Sequence, residues 1–183
     1  MARAGEREAE NVGVLLLIAE VQQWKGDWVG AMETFQRALQ YRPQDRVVRY
    51  SLYRAAMAQE GDSGAREIAA REMNRLFELV PQNLAVAAKY ARFQAEQGNL
   101  ENAARGLEAL RPRVLDMALP RKVLKGAEKV LAAGDMKGVR RELTVLENVL
   151  KPTARYKQAL GELQPPVVGM GLTRFSPPFY DEL

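Results

Sequence analysis

Apolar residues recur at helical spacing in two adjacent segments near the start of the chain, residues 12–24 and 28–41. In the first segment, Leu15, Ile18 and Ala19 follow the i, i+3, i+4 pattern that places side chains on one face of a helix. Three residues that include a glycine separate the two segments, and Pro43 follows the second. The pattern predicts a helical hairpin. Its apolar surface is too large for one hairpin to bury alone, so further copies are expected along the chain.

Three further pairs of helix-compatible segments follow this hairpin. Breaks at 60–64, at Gly98-Asn99 and at Gly134-Asp135 divide the pairs internally, and Pro81, Pro112 and Pro152 are the stops after them. The spacing predicts repeats at about 12–45, 46–83, 84–117 and 120–153, with four extra residues in the second copy. A shorter helical segment, residues 154–163, has an apolar stripe and polar residues on its other side, as a terminal capping helix requires.

The first copy resembles a tetratricopeptide repeat, whose period is 34 residues. The positions that carry the resemblance are Leu15, Ile18, Ala19, Gly26-Asp27-Trp28, Ala31, Phe35, Ala38 and Pro43. Leu15 and Gln22 stand where the family usually has aromatic residues. The resemblance implies an all-α fold: a right-handed solenoid of about four helical hairpins, with a helix that caps the last repeat. Residues 1–163 would form this repeat domain.

The resemblance also implies a concave groove, lined by the first helix of each hairpin, in which a partner peptide binds. The matching positions are Leu16, Glu20 and Gln23 in the first copy, Tyr50 and Arg54 in the second, Ala88, Lys89 and Arg92 in the third, and Arg121, Leu124, Lys125 and Glu128 in the fourth. Such a groove becomes more basic toward its C-terminal half, which suits an acidic partner. The alternative is that these cations are ordinary solvated side chains of an exposed helix face.

The distribution of charge agrees with either interpretation. The net charge is +4, and residues 118–163 hold ten Lys or Arg against five Asp or Glu, a local excess of +5. The rest of the chain is therefore close to neutral.

Composition excludes several kinds of chemistry. The chain has neither cysteine nor histidine, so thiolate metal sites, disulfides, cysteine nucleophiles and histidine general bases are all impossible. No glycine-rich phosphate loop or nucleophile motif is present, because Gly169-x-Gly171 has no strand before it and no lysine after it. We therefore expect no enzyme activity, no cofactor, no metal and no small-molecule substrate.

Targeting signals are not evident either. The apolar run 12–19 is too short to cross a membrane, and the acidic first ten residues do not resemble a secretory signal. The chain is expected to be soluble, and cytoplasmic by default. A stretch from within a longer, exported protein would give the same pattern.

Residues 164–183 differ from the rest. Prolines and glycines exclude a helix there, yet large apolar residues are frequent: Val167, Val168, Met170, Leu172, Phe175, Phe179 and Tyr180. Flexible linkers are poor in such residues. We expect an extended apolar tail anchored by Leu172, Phe175, Phe179 and Tyr180, either on its own domain or on another chain. A bridge to a further domain is a third interpretation.

The sequence favours a protein-interaction scaffold whose groove binds a peptide or subunit. One alternative is a structural or assembly subunit of a larger complex, membrane-associated complexes included, attached through the tail. Another is an RNA-binding helical repeat. The small net charge and the absence of repeated base-reading residue pairs count against RNA.

Overall fold

The computed structural model describes residues 2–59 and 61–165, and for residues 2–11 it describes the backbone alone. Within these ranges the protein is all-helical and contains no strand. Nine α-helices and one short 3₁₀ helix follow each other along the chain: α1 Ala2–Trp24, α2 Trp28–Tyr41, α3 Arg46–Met57, α4 Ser63–Leu79, α5 Leu84–Glu96, α6 Leu100–Leu110, the 3₁₀ helix Arg111–Arg113, α7 Ala118–Ala132, α8 Met136–Leu150 and α9 Ala154–Gly161.

One turn type recurs at four places in the chain. Gly26, Gly61, Gly98 and Gly134 have φ values of 76°, 92°, 83° and 69°, the left-handed region that favours glycine. Each glycine is followed by an Asp or Asn whose side chain accepts a hydrogen bond from a backbone N–H in the first turn of the next helix. Glycine reverses the chain and the capping residue starts the second helix. The same local chemistry thus explains why α2, α4, α6 and α8 begin where they do.

Helices that follow one another in the chain pack together. The four pairs α1–α2, α3–α4, α5–α6 and α7–α8 form hairpins, and α2–α3, α4–α5 and α6–α7 join each hairpin to the next. Small residues permit close packing in the first hairpin, where Ala19, Ala31 and Ala38 are fully buried beside Phe35. Between α5 and α6, Gly106 lies so close to Ala91 that an added Cβ would be 2.7 Å from the Cβ of Ala91.

The last third of the chain folds back onto α5. Both α8 and α9 contact α5 extensively. Arg140, near the start of α8, donates hydrogen bonds to the backbone carbonyls of Ala95 (3.1 Å) and Glu96 (3.2 Å) at the C-terminal end of α5. The carbonyl of Ala95 also accepts a hydrogen bond of 3.1 Å from the N–H of Gly98 in the turn, and a cation at this helix end complements the helix dipole.

The helix bounds agree closely with those expected from periodicity, and two features differ from expectation: the start of α1 and the neighbour of α9. The first helix begins at Ala2, ten residues before the apolar pattern at Val12, so the polar lead-in is helical as well. The helix expected to cap the last hairpin, α9, has α5 as its principal neighbour. Its inner stripe is as expected, since Tyr156 and Leu163 are buried and Leu160 packs against the core.

Candidate functional site

A narrow cleft lies between α1 and α3 and is called the α1–α3 cleft below. It is lined by Glu20 and Gln23 from α1 and by Tyr50, Ser51 and Arg54 from α3. The residues stand three and four positions apart on their helices, which places them on facing helix surfaces. Four of the predicted groove residues, Glu20, Gln23, Tyr50 and Arg54, are thus brought together. The fifth from these two helices, Leu16, is half-buried and packs against the core.

The chain's own segment Leu163-Gln164-Pro165 completes the lining of this cleft. Leu163 is fully buried, whereas Gln164 and Pro165 are half-buried. Burial raises the pKa of Glu20 above its usual value, because a charged carboxylate loses hydration in a narrow cleft. A proline-containing stretch of backbone after α9 therefore already occupies one side of the α1–α3 cleft.

Aromatic rings connect this cleft with the next hairpin. Tyr50 and Tyr53 of α3 stack with their ring centroids 6.2 Å apart, and Tyr53 meets Phe93 of α5 edge-on at 6.1 Å. Burial raises the pKa of Tyr53, and the neighbouring Tyr50 and Glu147 raise it further. The phenol is therefore neutral throughout the physiological range, and these rings act as packing groups.

A buried carboxylate, Glu147 of α8, occupies the C-terminal half of the predicted groove. Its oxygens lie 3.2 Å from Nζ of Lys89 and 2.7 Å from Nη1 of Arg92, and Tyr156 of α9 donates a hydrogen bond of 3.2 Å to it. Only 2% of the Glu147 side chain is exposed. The arrangement joins α5, α8 and α9 and is called the Glu147 cluster below.

The charges in the Glu147 cluster stabilise one another. Burial acts to raise the pKa of Glu147, but Lys89 and Arg92 outweigh it and the pKa is lowered. Burial acts to lower the pKa of Arg92, yet hydrogen bonds and charge from Glu96 and Glu147 raise it. Burial and the adjacent Glu147 together raise the pKa of Tyr156. A buried carboxylate remains charged at neutral pH because two cations and a hydroxyl surround it.

This cluster changes the expectation for two groove cations. Lys89 and Arg92 were expected to face an open groove, but their side chains are 14% and 35% exposed and both are paired with Glu147. The chain itself supplies the acidic group at this position. Ala88, on the same helix, is buried as well.

The remaining predicted cations, Arg121 and Lys125, lie on α7. Both are exposed, and the principal neighbours of α7 are α6 and α8. Arg121 donates a hydrogen bond of 3.0 Å to the backbone carbonyl of Leu115. Leu124 is buried in the core, and Glu128 accepts hydrogen bonds from Arg111. The structure therefore does not bring these two cations into the α1–α3 cleft.

Asn83 fastens α9 to the start of α5. Its Oδ1 accepts hydrogen bonds from the backbone N–H groups of Ala85 and Val86, which caps α5. Its Nδ2 donates to the carbonyl of Ala159 at 2.8 Å. One buried amide thus begins one helix and anchors another that is 76 residues further along the chain.

The sequence pattern did not predict the contact of Asn83 with α9 or the burial of Glu147. A signal for Glu147 was present, since it follows Leu143 by four positions and precedes Leu150 by three, so it lies on the inward stripe of α8. A charged residue at an inward position needs a buried partner. The spacing alone, however, does not say that the partner is on α5.

The predicted tail anchors, Leu172, Phe175, Phe179 and Tyr180, lie outside the described residues. Within the described part of the chain, no helix is both long and apolar enough to cross a membrane. The same residues contain no group of three or more acidic side chains placed to hold a metal ion.

Comparison of the chain with protein-family models, with curated proteins and with solved structures gave no match.

Proposed function

We propose that this chain is a protein-interaction module that binds an extended peptide segment of a partner protein. The helices would form a right-handed solenoid of four tetratricopeptide-like hairpins. Support for the repeat comes from the fourfold recurrence of a positive-φ glycine followed by a capping Asp or Asn. The mechanism is binding: preformed helices present fixed side chains, and the partner contributes most of the ordering entropy.

The observation that carries this proposal is the occupied edge of the α1–α3 cleft. Gln164 and Pro165, which follow α9, lie there against Glu20, Gln23 and Tyr50. Residues 163–165 are non-helical backbone that includes a proline, and they leave only about 10 Å³ free inside the cleft. A partner segment of the same kind would therefore lie along the open rim of the cleft. Gln23 offers an amide that both donates and accepts hydrogen bonds, whereas Tyr50 is buried and packs on Tyr53.

The preferred partner follows from the charges of the cleft. Lys89 and Arg92 pair with Glu147 within the chain. These two cations, which were expected to make the groove basic, are therefore not part of the α1–α3 cleft. Glu20 and Arg54 contribute one charge of each sign. We therefore propose a proline-containing segment of mixed polarity as the ligand and do not retain a preference for acidic peptides.

Selection of peptides on the purified chain tests the proposal. Short random peptides displayed on phage would be enriched on the wild-type protein, and the affinity of a selected synthetic peptide would be measured by fluorescence anisotropy. The cleft variant combines Glu20→Ala with Gln23→Ala. Both positions are only half-buried in the structure, so the fold should tolerate them.

The chain provides a matched control on α2. Glu33 and Gln36 have the same residue types at the same spacing, but they lie on the second helix of the hairpin. The cleft variant should weaken peptide binding by about tenfold or more, which corresponds to about 1.4 kcal/mol. Glu33→Ala with Gln36→Ala should leave affinity unchanged. Equal losses in both variants, or no enriched peptide at all, would contradict a binding cleft between α1 and α3.

A further inference from the structure

Helix α1 is apolar on two faces, and one of them is open. Val12, Leu15 and Ala19 are buried against the rest of the protein. Ile18 was expected on the same face as Leu15 and Ala19, but it is exposed on another face with Val14, Leu17 and Val21. These four side chains are between 45 and 57% exposed. Their i, i+3, i+4, i+7 spacing makes one continuous surface, called the outer α1 stripe below. Isolated exposed apolar residues are ordinary, but a contiguous stripe of four usually marks a contact surface.

The equivalent face of α5 is covered. Gly98 follows Gly26 by 72 positions, so Val14, Ile18 and Val21 correspond to Val86, Tyr90 and Phe93. All three α5 residues are at most 4% exposed. Tyr90 stacks on Phe77 of the preceding α4 at a centroid distance of 3.9 Å, and Phe93 contacts Tyr53 of α3.

The same holds for α3. When α3 and α5 are aligned on their capping residues, Asp45 and Asn83, the corresponding positions are Val48, Leu52 and Ala55. All three are fully buried. The outer α1 stripe is therefore the uncovered member of a face that is buried in the next two hairpins.

We propose that residues 166–183 of this same chain cover the outer α1 stripe. The described chain ends at Pro165, in the cleft beside Glu20 and Gln23 of α1. Glu20 lies one turn after Leu17 on the same helix, so the described chain ends near the stripe. The stripe spans about 11 Å from Val14 to Val21 at 1.5 Å per residue. Eighteen residues can span up to about 60 Å when extended, which is ample.

The sequence of this segment suits such a surface. Residues 166–173 carry no charge, and Val168, Met170 and Leu172 alternate with Gly169 and Gly171. In an extended chain, alternate residues point to one side. Three apolar side chains would then face the helix, while the glycines face away. The outer α1 stripe likewise consists of uncharged aliphatic side chains. This inference does not depend on the proposed function, because it concerns a different face of α1.

Disulfide trapping tests the contact directly, since the natural chain has no cysteine. Ile18→Cys would be combined with Met170→Cys, and the control would combine Glu108→Cys, at an exposed position on α6, with Met170→Cys. Mild oxidation should close the Ile18–Met170 pair within one chain at least about tenfold faster than the control pair, because docking raises the effective concentration of the two thiols. The rate should not depend on protein concentration.

Trypsin cleavage after Arg174 provides a second measurement that needs no cysteine. Ile18→Ser with Val21→Ser should speed release of residues 175–183, since the substitutions remove apolar contacts without touching the buried face of α1. Equal trapping rates for both pairs, or cleavage unaffected by the serine substitutions, would overturn the proposal. Disulfide-linked dimers that form faster as concentration rises would also overturn it and would identify a second copy of the chain as the occupant.

Discussion

At the scale of single residues, the ionisation and burial of Glu147 depend on its three neighbours. Its carboxylate is buried, and Lys89, Arg92 and Tyr156 together come from two other helices. Taking one ion out of water costs several kcal/mol, and the cost is recovered only when every partner remains in place. The buried charges of the Glu147 cluster are therefore stabilised only when α5, α8 and α9 pack together.

Replacement of Glu147 should destabilise the protein strongly. Glu147→Gln leaves two cations facing a neutral side chain, so the free energy of unfolding should fall by about 3 kcal/mol or more. Urea unfolding followed by circular dichroism measures this. The control is Glu108→Gln, a carboxylate at an exposed position on α6, which should change stability by less than about 0.5 kcal/mol.

The pH dependence of the same variant gives an independent check. The pKa of Glu147 in the folded protein lies below its ordinary value of 4.5, so the folded state favours the charged form. Its contribution is complete above pH 4.5 and is lost as the pH falls through the folded pKa. Wild type should therefore lose more stability than Glu147→Gln on acidification below pH 4.5. Parallel stability curves for the two proteins would show that the carboxylate is not held by its neighbours.

At the scale of helices, packing distance determines which glycines are essential. Gly106 lies on α6 against Ala91 of α5, and an added Cβ would be 2.9 Å from backbone atoms of Ala91. Gly13 lies in the interior of α1, and a Cβ added there would have no neighbouring atom within 4 Å. The two positions therefore separate helix propensity from steric fit.

Alanine should have opposite effects at these two glycines. Gly13→Ala should stabilise the protein by about 0.5–1 kcal/mol, because alanine costs less backbone entropy in a helix. Gly106→Ala should destabilise it by about 1–3 kcal/mol, because α5 and α6 must move apart. Thermal unfolding of both variants tests the prediction. If Gly106→Ala is as stable as wild type, the helices are not in the contact described here.

The helices themselves could be predicted from the sequence, because the signals that specify them are local. Periodic apolar residues mark each helix, and the glycine followed by Asp or Asn marks each turn. Ala31, Phe35 and Ala38, which are among the positions that carry the resemblance, are buried. The contact between Lys89 and Glu147 spans 58 residues, and no local pattern specifies it. The same limitation applies to Asn83 and α9. Two or more arrangements of these helices satisfy the same periodicity, and only tertiary packing selects among them.

For the whole molecule, the N-terminal and C-terminal halves of the chain differ in how they pack. Helices α8 and α9 pack on α5 and close the C-terminal half through the Glu147 cluster. The α1–α3 cleft, lined in part by residues 163–165, is the half proposed to receive a partner. The exposed basic residues of α7 lie apart from both. On this account the partner binds between α1 and α3, whereas α5, α8 and α9 are held together by the Glu147 cluster.

The most direct test of the account is to map a selected peptide by NMR on the 15N-labelled chain, which at 20.5 kDa is small enough for amide spectra. Titration should shift the amide signals of residues 16–23 in α1 and 50–54 in α3, and leave those of residues 121–129 in α7 unchanged. Shifts confined to α7, or centred on Lys89 and Arg92 with loss of their pairing to Glu147, would contradict a partner-binding site in the α1–α3 cleft.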